Sequence, residues 1–149
     1  MDTLKIAVLY GGVSKEREVS ISSSKGVIDA LKRNGHEVIA IDFHPERLDE
    51  IINLKVDLVF IALHGKFGED GSVQGLLDML NIPYVGSGVL ASALAMDKYK
   101  AKQLFKSVDI PTAKGQLYQV TVETNIDELA NNISETFEVP FSMKPNLEG

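Results

Sequence analysis

The chain has 149 residues, 44% of them hydrophobic and 24% charged, with a formal net charge of −6 at pH 7. That length suits about one domain with a core of reasonable size, and the acidic balance argues against general nucleic-acid or membrane-surface binding while leaving room for a local cationic patch. With no cysteine there is no disulfide framework, thiol nucleophile or cysteine zinc site, and no run of about 18 apolar residues offers a membrane-spanning helix.

The opening MDTLKIAVLYGG lacks the basic region and longer apolar run of a secretory signal, so a cytoplasmic protein is expected. Leu4–Tyr10 is a continuous apolar run closed by Gly11 and Gly12, the pattern of a buried parallel strand entering a tight turn. A helix is predicted from about Ser14 to Arg33. Ser14 suits its N-cap, Glu16 and Glu18 its positive end, and Val27, Ile28 and Leu31 its inner stripe. Lys32, Arg33 and then Gly35 end it. His36–Asp42 reads as a second strand, Pro45–Ile52 as a short helix and Asp57–Leu63 as a third buried strand. HGKFGEDGS is a glycine-rich loop, after which Val73, Leu76, Leu77 and Leu80 fall at i, i+3, i+4, i+7 and predict a helix. IPYVGSG reads as a short strand and loop. This alternation implies an α/β fold, an open parallel sheet of Rossmann-like type with helices on both faces. Ligands of such sheets sit at the carboxyl ends of the strands, which places the loops after Tyr10 and Leu63 first among candidate sites.

Val89–Met96 is apolar on all sides and is expected to be a buried helix, with a partner-facing helix as the alternative. In the next helix Ala101, Leu104, Phe105 and Val108 form an apolar stripe, while Lys98, Lys102 and Lys106 line up at i, i+4, i+8. DIPTAKG reads as a boundary. Gln116–Val122 is predicted as a strand, and Asn125-x-x-Glu128 can cap a helix that buries Ile126, Leu129, Ala130, Ile133 and Phe137. A final strand would carry Lys144 between the apolar Phe141 and Met143 and the breaking Pro145. One α/β domain over residues 1–95, a connecting helix over 96–110 and a unit over 111–149 that starts without finishing are expected.

Two loops and two lysines carry candidate chemistry. Gly11 and Gly12 let backbone approach a ligand at a helix N-terminus. There Glu16 suits a ligand ammonium and Val19 a small apolar group; alternatively the acidic residues only complement the helix dipole. His64 stands at the end of a buried strand, followed by Gly65, Lys66, Gly68, Glu69, Asp70 and Gly71. It can donate to a carboxylate or phosphate, or it is a structural histidine beside an Asp70–Gly71 turn. Lys98 at a helix start and Lys144 on its apolar run each call for a solvated or anionic neighbour, phosphate among them. The dispersed acids do not form a metal site. GxxxxGK[ST], GxGxxG and GxSxG are all absent.

Taken together, KEREVS, LHGKFGEDG, GSGVLASALAMDK and KPNLEG resemble the D-alanine–D-alanine ligases of the ATP-grasp superfamily, in order and over essentially the whole chain. The resemblance implies a substrate-binding N-terminal domain followed by the start of an α+β ATP-grasp domain. It implies ATP-dependent formation of D-alanyl-D-alanine through an acyl phosphate, for peptidoglycan precursors, with ATP and Mg²⁺ (or Mn²⁺) and a homodimeric complete enzyme. By the same resemblance, Glu16 serves the first D-alanine's ammonium, Val19 its methyl and His64 its carboxylate and acyl phosphate. Lys98 and Lys144 serve ATP phosphates, beside the Gly65–Gly71 loop. The serine-containing loop that follows KPxxEG in the family, its metal carboxylates and its second-substrate site have no counterpart in these 149 residues, so the chain alone is expected to be inactive. A non-catalytic ligase-like module and part of a D-alanine–D-lactate ligase are the alternatives.

Overall fold

In a computed structural model that describes residues 2–148, β1 (Lys5–Gly11) takes the centre of the sheet because both its faces are apolar: Ile6, Ala7, Val8 and Leu9 are all buried. It is flanked by β2 (Glu37–Phe43) on one side and β3 (Leu58–Ile61) on the other, with β4 (Tyr84–Val85) outside β3. All three pairings are parallel, in registers that set Leu9 beside Ile41 and Ile61. The open parallel sheet expected from the sequence is therefore the fold.

Side chains alternate across a strand. Ala7 and Leu9 join Ile41, Phe43 and Val59 in one apolar layer, closed by Ile51 of α2 (Asp49–Ile52) and by Val73 and Leu77 of α3 (Ser72–Met79). Helix α1 (Arg17–Arg33) packs on β1 and β2. Its expected stripe of Val27, Ile28 and Leu31 is only half-buried, and its fully buried residues are Ser20 and Ser24. Ser20 explains this: its hydroxyl accepts from the Gly11 N–H (2.8 Å) and donates to the Ala62 carbonyl (2.6 Å). A small polar side chain there lets the helix approach the ends of β1 and β3 and satisfies two buried backbone groups at once.

The helix begins at Arg17, later than expected, after a turn closed by Ser14. Its hydroxyl accepts from the Glu16 N–H (3.1 Å) and donates to the His64 carbonyl (2.7 Å), so Ser14 closes a turn before the helix instead of capping it. Arg17 clasps Asp42 through two bonds, 2.7 and 2.6 Å, and its Nη1 also reaches the Gly12 carbonyl at 3.1 Å. Those hydrogen bonds hold the Asp42 carboxyl below the usual carboxylate range, against the upward pull of partial burial.

Beyond β4 the expected helices form, but the burial and the strands expected with them do not. Helix α4 (Val89–Met96) forms, but only Ser92 is buried and Leu90 is 72% exposed. Helix α5 (Lys98–Ser107) leaves Leu104 and Phe105 exposed as well. Helix α6 (Ile126–Thr136) is capped by Asn125, whose side chain accepts from the N–H groups of Asp127 and Glu128, yet of its expected face only Ile133 is buried, while Ile126 and Ala130 are exposed. The strands expected at Gln116–Val122 and around Lys144 do not form: among the described residues no neighbouring strand pairs with them, and strand backbone needs a partner for its N–H and C=O groups. Among the described residues no helix is long and apolar enough to cross a membrane.

Two expected outcomes follow from this packing. Ser20→Ala leaves the Gly11 N–H and the Ala62 carbonyl without their partner and should cost about 1–3 kcal/mol in urea denaturation; a change within error of zero would contradict the bridging role. For Asp42 the folded pKa lies below the unfolded one, so its contribution is complete above the ordinary carboxyl range and is lost as pH falls through the folded value. Urea midpoints measured at falling pH should therefore drop less steeply for Asp42→Asn than for the parent chain, and equal slopes would argue against the clasp.

Candidate functional site

The sheet changes direction of winding between β1 and β3: from β1 the chain crosses to β2 on one side, and it returns on the other side as β3 and β4. Crevices at such a point, beyond the carboxyl ends of the strands, are where open α/β sheets place ligands. Two loops meet there, Gly12–Glu16 after β1 and Ala62–Gly71 after β3, joined by the Ser14–His64 and Ser20–Ala62 bonds.

Glu16 stands at the cap position of α1, half-buried, and its carboxylate accepts no bond from the described residues. Its Oε2 lies so close to Gly65 that a Cβ on that glycine, whose φ is +68°, would come within 3.0 Å of it. The carboxylate thus borders the loop directly. Val19, one turn along the helix, is 54% exposed on the same edge. Half-buried His64 completes the group: its Nε2 lies 3.2 Å from the hydroxyl of Ser23, the next residue on that helical edge. Glu16, Val19 and Ser23 fall at i, i+3, i+7, one above another on α1.

The glycine-rich loop is held in one path by its own bonds. Glu69 accepts from the Gly65 N–H at 2.6 Å. Asp70 accepts from the Phe67 N–H (2.9 Å) and the Ser72 N–H (3.0 Å). Burial alone would raise the Asp70 carboxyl, but these N–H donors outweigh it and leave it below the usual range. Gly68 packs on Leu63, where a Cβ would meet the Leu63 backbone carbon at 2.8 Å, and its carbonyl accepts from the buried side chain of Gln74 at 2.7 Å. Gly71 supplies the left-handed residue that opens α3.

Lys98 lies on the far side of this loop. With Glu69, Ala95, Met96 and Glu148 it lines a cavity of about 210 Å³. Its ammonium donates to the Glu148 carbonyl, and its N–H to the Asn146 carbonyl (3.2 Å). Asn146 also accepts from the Tyr99 N–H (2.9 Å) and donates to Asp97 (2.9 Å), so the N-terminus of α5 and the KPNLEG segment form one tied unit. Backbone N–H of Lys100 first, then the Asn146 amide, hold the Asp97 carboxyl below its ordinary value. Glu69 thus joins the two groups of residues. Lys144 is not brought in: it is exposed. Gly149, the last residue of that segment, lies outside the described residues. Among the described residues no group of three or more histidine or acidic side chains could hold a metal ion, so the donor set present does not fit a divalent cation.

Sequence reasoning passed over Arg17 and Ser23 and read Ser14 only as a helix cap. The signal for Ser23 was available in its spacing from Glu16 and Val19, which puts all three on one helical edge.

Comparison with known proteins identifies the family. The family model described as D-ala D-ala ligase N-terminus matches residues 5–48 and 46–87. The chain is 58% identical over 147 residues to a D-alanine–D-alanine ligase of Halalkalibacterium halodurans, covering 98% of this chain and 46% of that protein. It is 56% identical over 145 residues to the enzyme of the same name from Pseudomonas entomophila, covering 97% and 44%. Among solved structures, D-alanine–D-alanine ligase from Bacillus anthracis superposes with a TM-score of 0.74 at 36% identity, over 99% of this chain and 47% of that one. The same enzyme complexed with ATP gives 0.71 at 39% identity, over 88% and 43%. The chain thus spans a little under half the length of these relatives. With its parallel sheet, its strand-end loops and more than half of its residues matched in order, the chain belongs to the D-Ala-D-Ala ligase N-terminus family.

Proposed function

We propose that the protein carrying this chain is an ATP-dependent D-alanine–D-alanine ligase, and that residues 1–95 bind its first substrate. One observation carries the reading: a carboxylate, an exposed methyl-bearing side chain and an imidazole converge at the β1/β3 strand ends in Glu16, Val19 and His64. A small D-amino acid has the complementary three groups, an ammonium, a methyl and a carboxylate. Residues 96–110, which carry Lys98, connect this unit to the start of an ATP-grasp domain over 111–149, which carries Lys144; both lysines meet ATP phosphates, and the Gly65–Gly71 loop adjoins them.

The chemistry follows from the need for a leaving group. A carboxylate does not condense with an amine in water unless one of its oxygens is first converted into one. The γ-phosphoryl of ATP passes to a carboxylate oxygen of the first D-alanine, and ADP leaves. The amine of a second D-alanine attacks the carbonyl carbon, the bond to the phosphoryl oxygen breaks, and phosphate departs as the amine loses a proton. Glu16 fixes the ammonium so that the carboxylate is presented in one direction. His64 and Lys98 oppose the negative charge that accumulates there. Mg²⁺ (or Mn²⁺) would neutralise phosphate charge, but the described residues form no ligand set for it, and no step above depends on one. The resemblance also supports a cytoplasmic homodimer acting in peptidoglycan precursor synthesis.

Phosphate release from ATP with D-alanine, read together with chromatography of the product, tests this. Glu16→Gln and His64→Gln should each lower kcat/KM for D-alanine by on the order of 10²-fold, and a change of less than about twofold in both would remove the assignment. A depsipeptide as the main product when D-lactate is offered would move the protein to the D-alanine–D-lactate class. Residues 1–149 alone, which span under half of the relatives' length, are expected to release no phosphate; turnover near that of the complete protein would overturn the domain assignment.

A further inference from the structure

We propose that Ser23 is a positioning residue for His64: it holds the imidazole with its proton on Nε2, leaving Nδ1 as the nitrogen that meets the ligand. The argument is a count of protons. The Ser23 hydroxyl lies 2.6 Å from the Val19 carbonyl and 3.2 Å from His64 Nε2. A carbonyl oxygen can only accept, and a hydroxyl has one proton. At 2.6 Å that proton lies between Ser23 and Val19, since two oxygens that close without one would repel. Toward His64 the Ser23 oxygen is therefore an acceptor, and Nε2 must carry a hydrogen. The same backbone bond, a serine reaching back one turn to the i−4 carbonyl, fixes the rotamer of Ser23 and hence the direction of its free lone pairs.

The other end of the histidine is fixed independently. Its main-chain carbonyl is held by Ser14, and it lies just beyond the end of β3, where the Ala62 N–H is bonded to the Leu9 carbonyl at 2.8 Å. With its backbone tied to one loop and its ring tied to α1, His64 has neither a free rotamer nor a free choice of tautomer. Nδ1 makes no bond among the described residues. In the neutral ring Nδ1 is a lone pair and would repel a carboxylate or phosphate oxygen. Only the doubly protonated ring can donate from Nδ1 to such an oxygen. Ser23 thereby rules out donation from Nδ1 by the neutral ring. Its bearing on a ligand rests on the reading of the site as an acceptor of an amino-acid carboxylate; the tautomer itself does not.

The test is ¹⁵N NMR of the histidine side chains, in the unliganded protein labelled at histidine and held at a pH above the ordinary imidazole range. The His64 signals are assigned by their loss in His64→Gln. The expected pattern is a protonated-type Nε2 and an unprotonated-type Nδ1. Ser23→Ala should move both toward a tautomer-averaged position, and Ser23→Thr, which keeps a hydroxyl able to make the same backbone bond, should restore the parent pattern. A parent protein with the proton on Nδ1, or a Ser23→Ala spectrum identical to the parent, overturns the proposal. In steady-state assays Ser23→Ala should raise the D-alanine KM several-fold and leave the ATP KM unchanged; equal changes in both would mean a general loosening and would overturn it too. If the parent protein neither binds D-alanine nor releases phosphate, the ligase reading fails while the NMR result still decides the role of Ser23.

Discussion

The Ser20 hydroxyl is the contact on which the candidate site depends. It joins a helix to the ends of two strands that lie side by side, through one bond to the Gly11 N–H and another to the Ala62 carbonyl. These groups lie where β1 and β3 stop pairing and their loops part, so each would otherwise be buried without a partner. Because the helix is pinned there, the residues one turn before it and one turn after it are pinned as well. Glu16 falls against Gly65, and Ser23 falls against His64. A larger residue at position 20 would lift α1 from the sheet and separate the two loops together.

The interactions around this contact differ greatly in weight. The apolar layer of Leu9, Val59, Val73 and Leu77, all essentially without exposure, supplies the main driving force, since burying each such side chain contributes about 1.5–3 kcal/mol. The Lys15–Glu148 ion pair, whose side chains are 84% and 52% exposed, adds little by comparison, within the ~0–1 kcal/mol of surface pairs. The Arg17–Asp42 clasp lies between these cases in burial, and its two-pronged geometry makes it more specific than a point contact. Its value is directional: by gripping the end of β2 and the Gly12 carbonyl, it fixes where the first loop leaves the sheet. Stability and site geometry thus come from different residues, the first from one apolar face and the second from a few serines, one arginine and a bonded glycine-rich loop.

The sheet was legible in the sequence because four short apolar runs bounded by glycine, proline and polar residues have few other uses. The strand-end placement of Glu16 and His64 followed from topology alone. What escaped was whatever depends on a partner. The apolar helix Val89–Met96 was expected to be buried, and among the described residues it is not, because hydropathy says that a face seeks cover and not where the cover comes from. Gln116–Val122 has the residues of a strand and, among the described residues, no strand beside it. The buried serines of α1 carried no signal in the sequence, since the use of a polar residue on the inner face of a helix shows only once the backbone groups it satisfies are known. The start of α1 was misjudged because Ser14 closes a separate turn just before the helix, its hydroxyl accepting from the Glu16 N–H while it donates to the His64 carbonyl.

The groove between α4 and α5, lined by Leu90, Ala91, Leu94, Ala95, Ala101, Leu104 and Phe105, has a consequence for the chain as a solute. Apolar surface of this kind, gathered in one place instead of scattered, orders water at a free-energy cost that any sufficiently flat oily surface can relieve. The net charge of −6 opposes self-association only at long range and weakens as salt is added. The colloidal behaviour of these 149 residues is therefore governed by the two helices whose other edge, through Ala95 and Lys98, borders Glu69 of the glycine-rich loop.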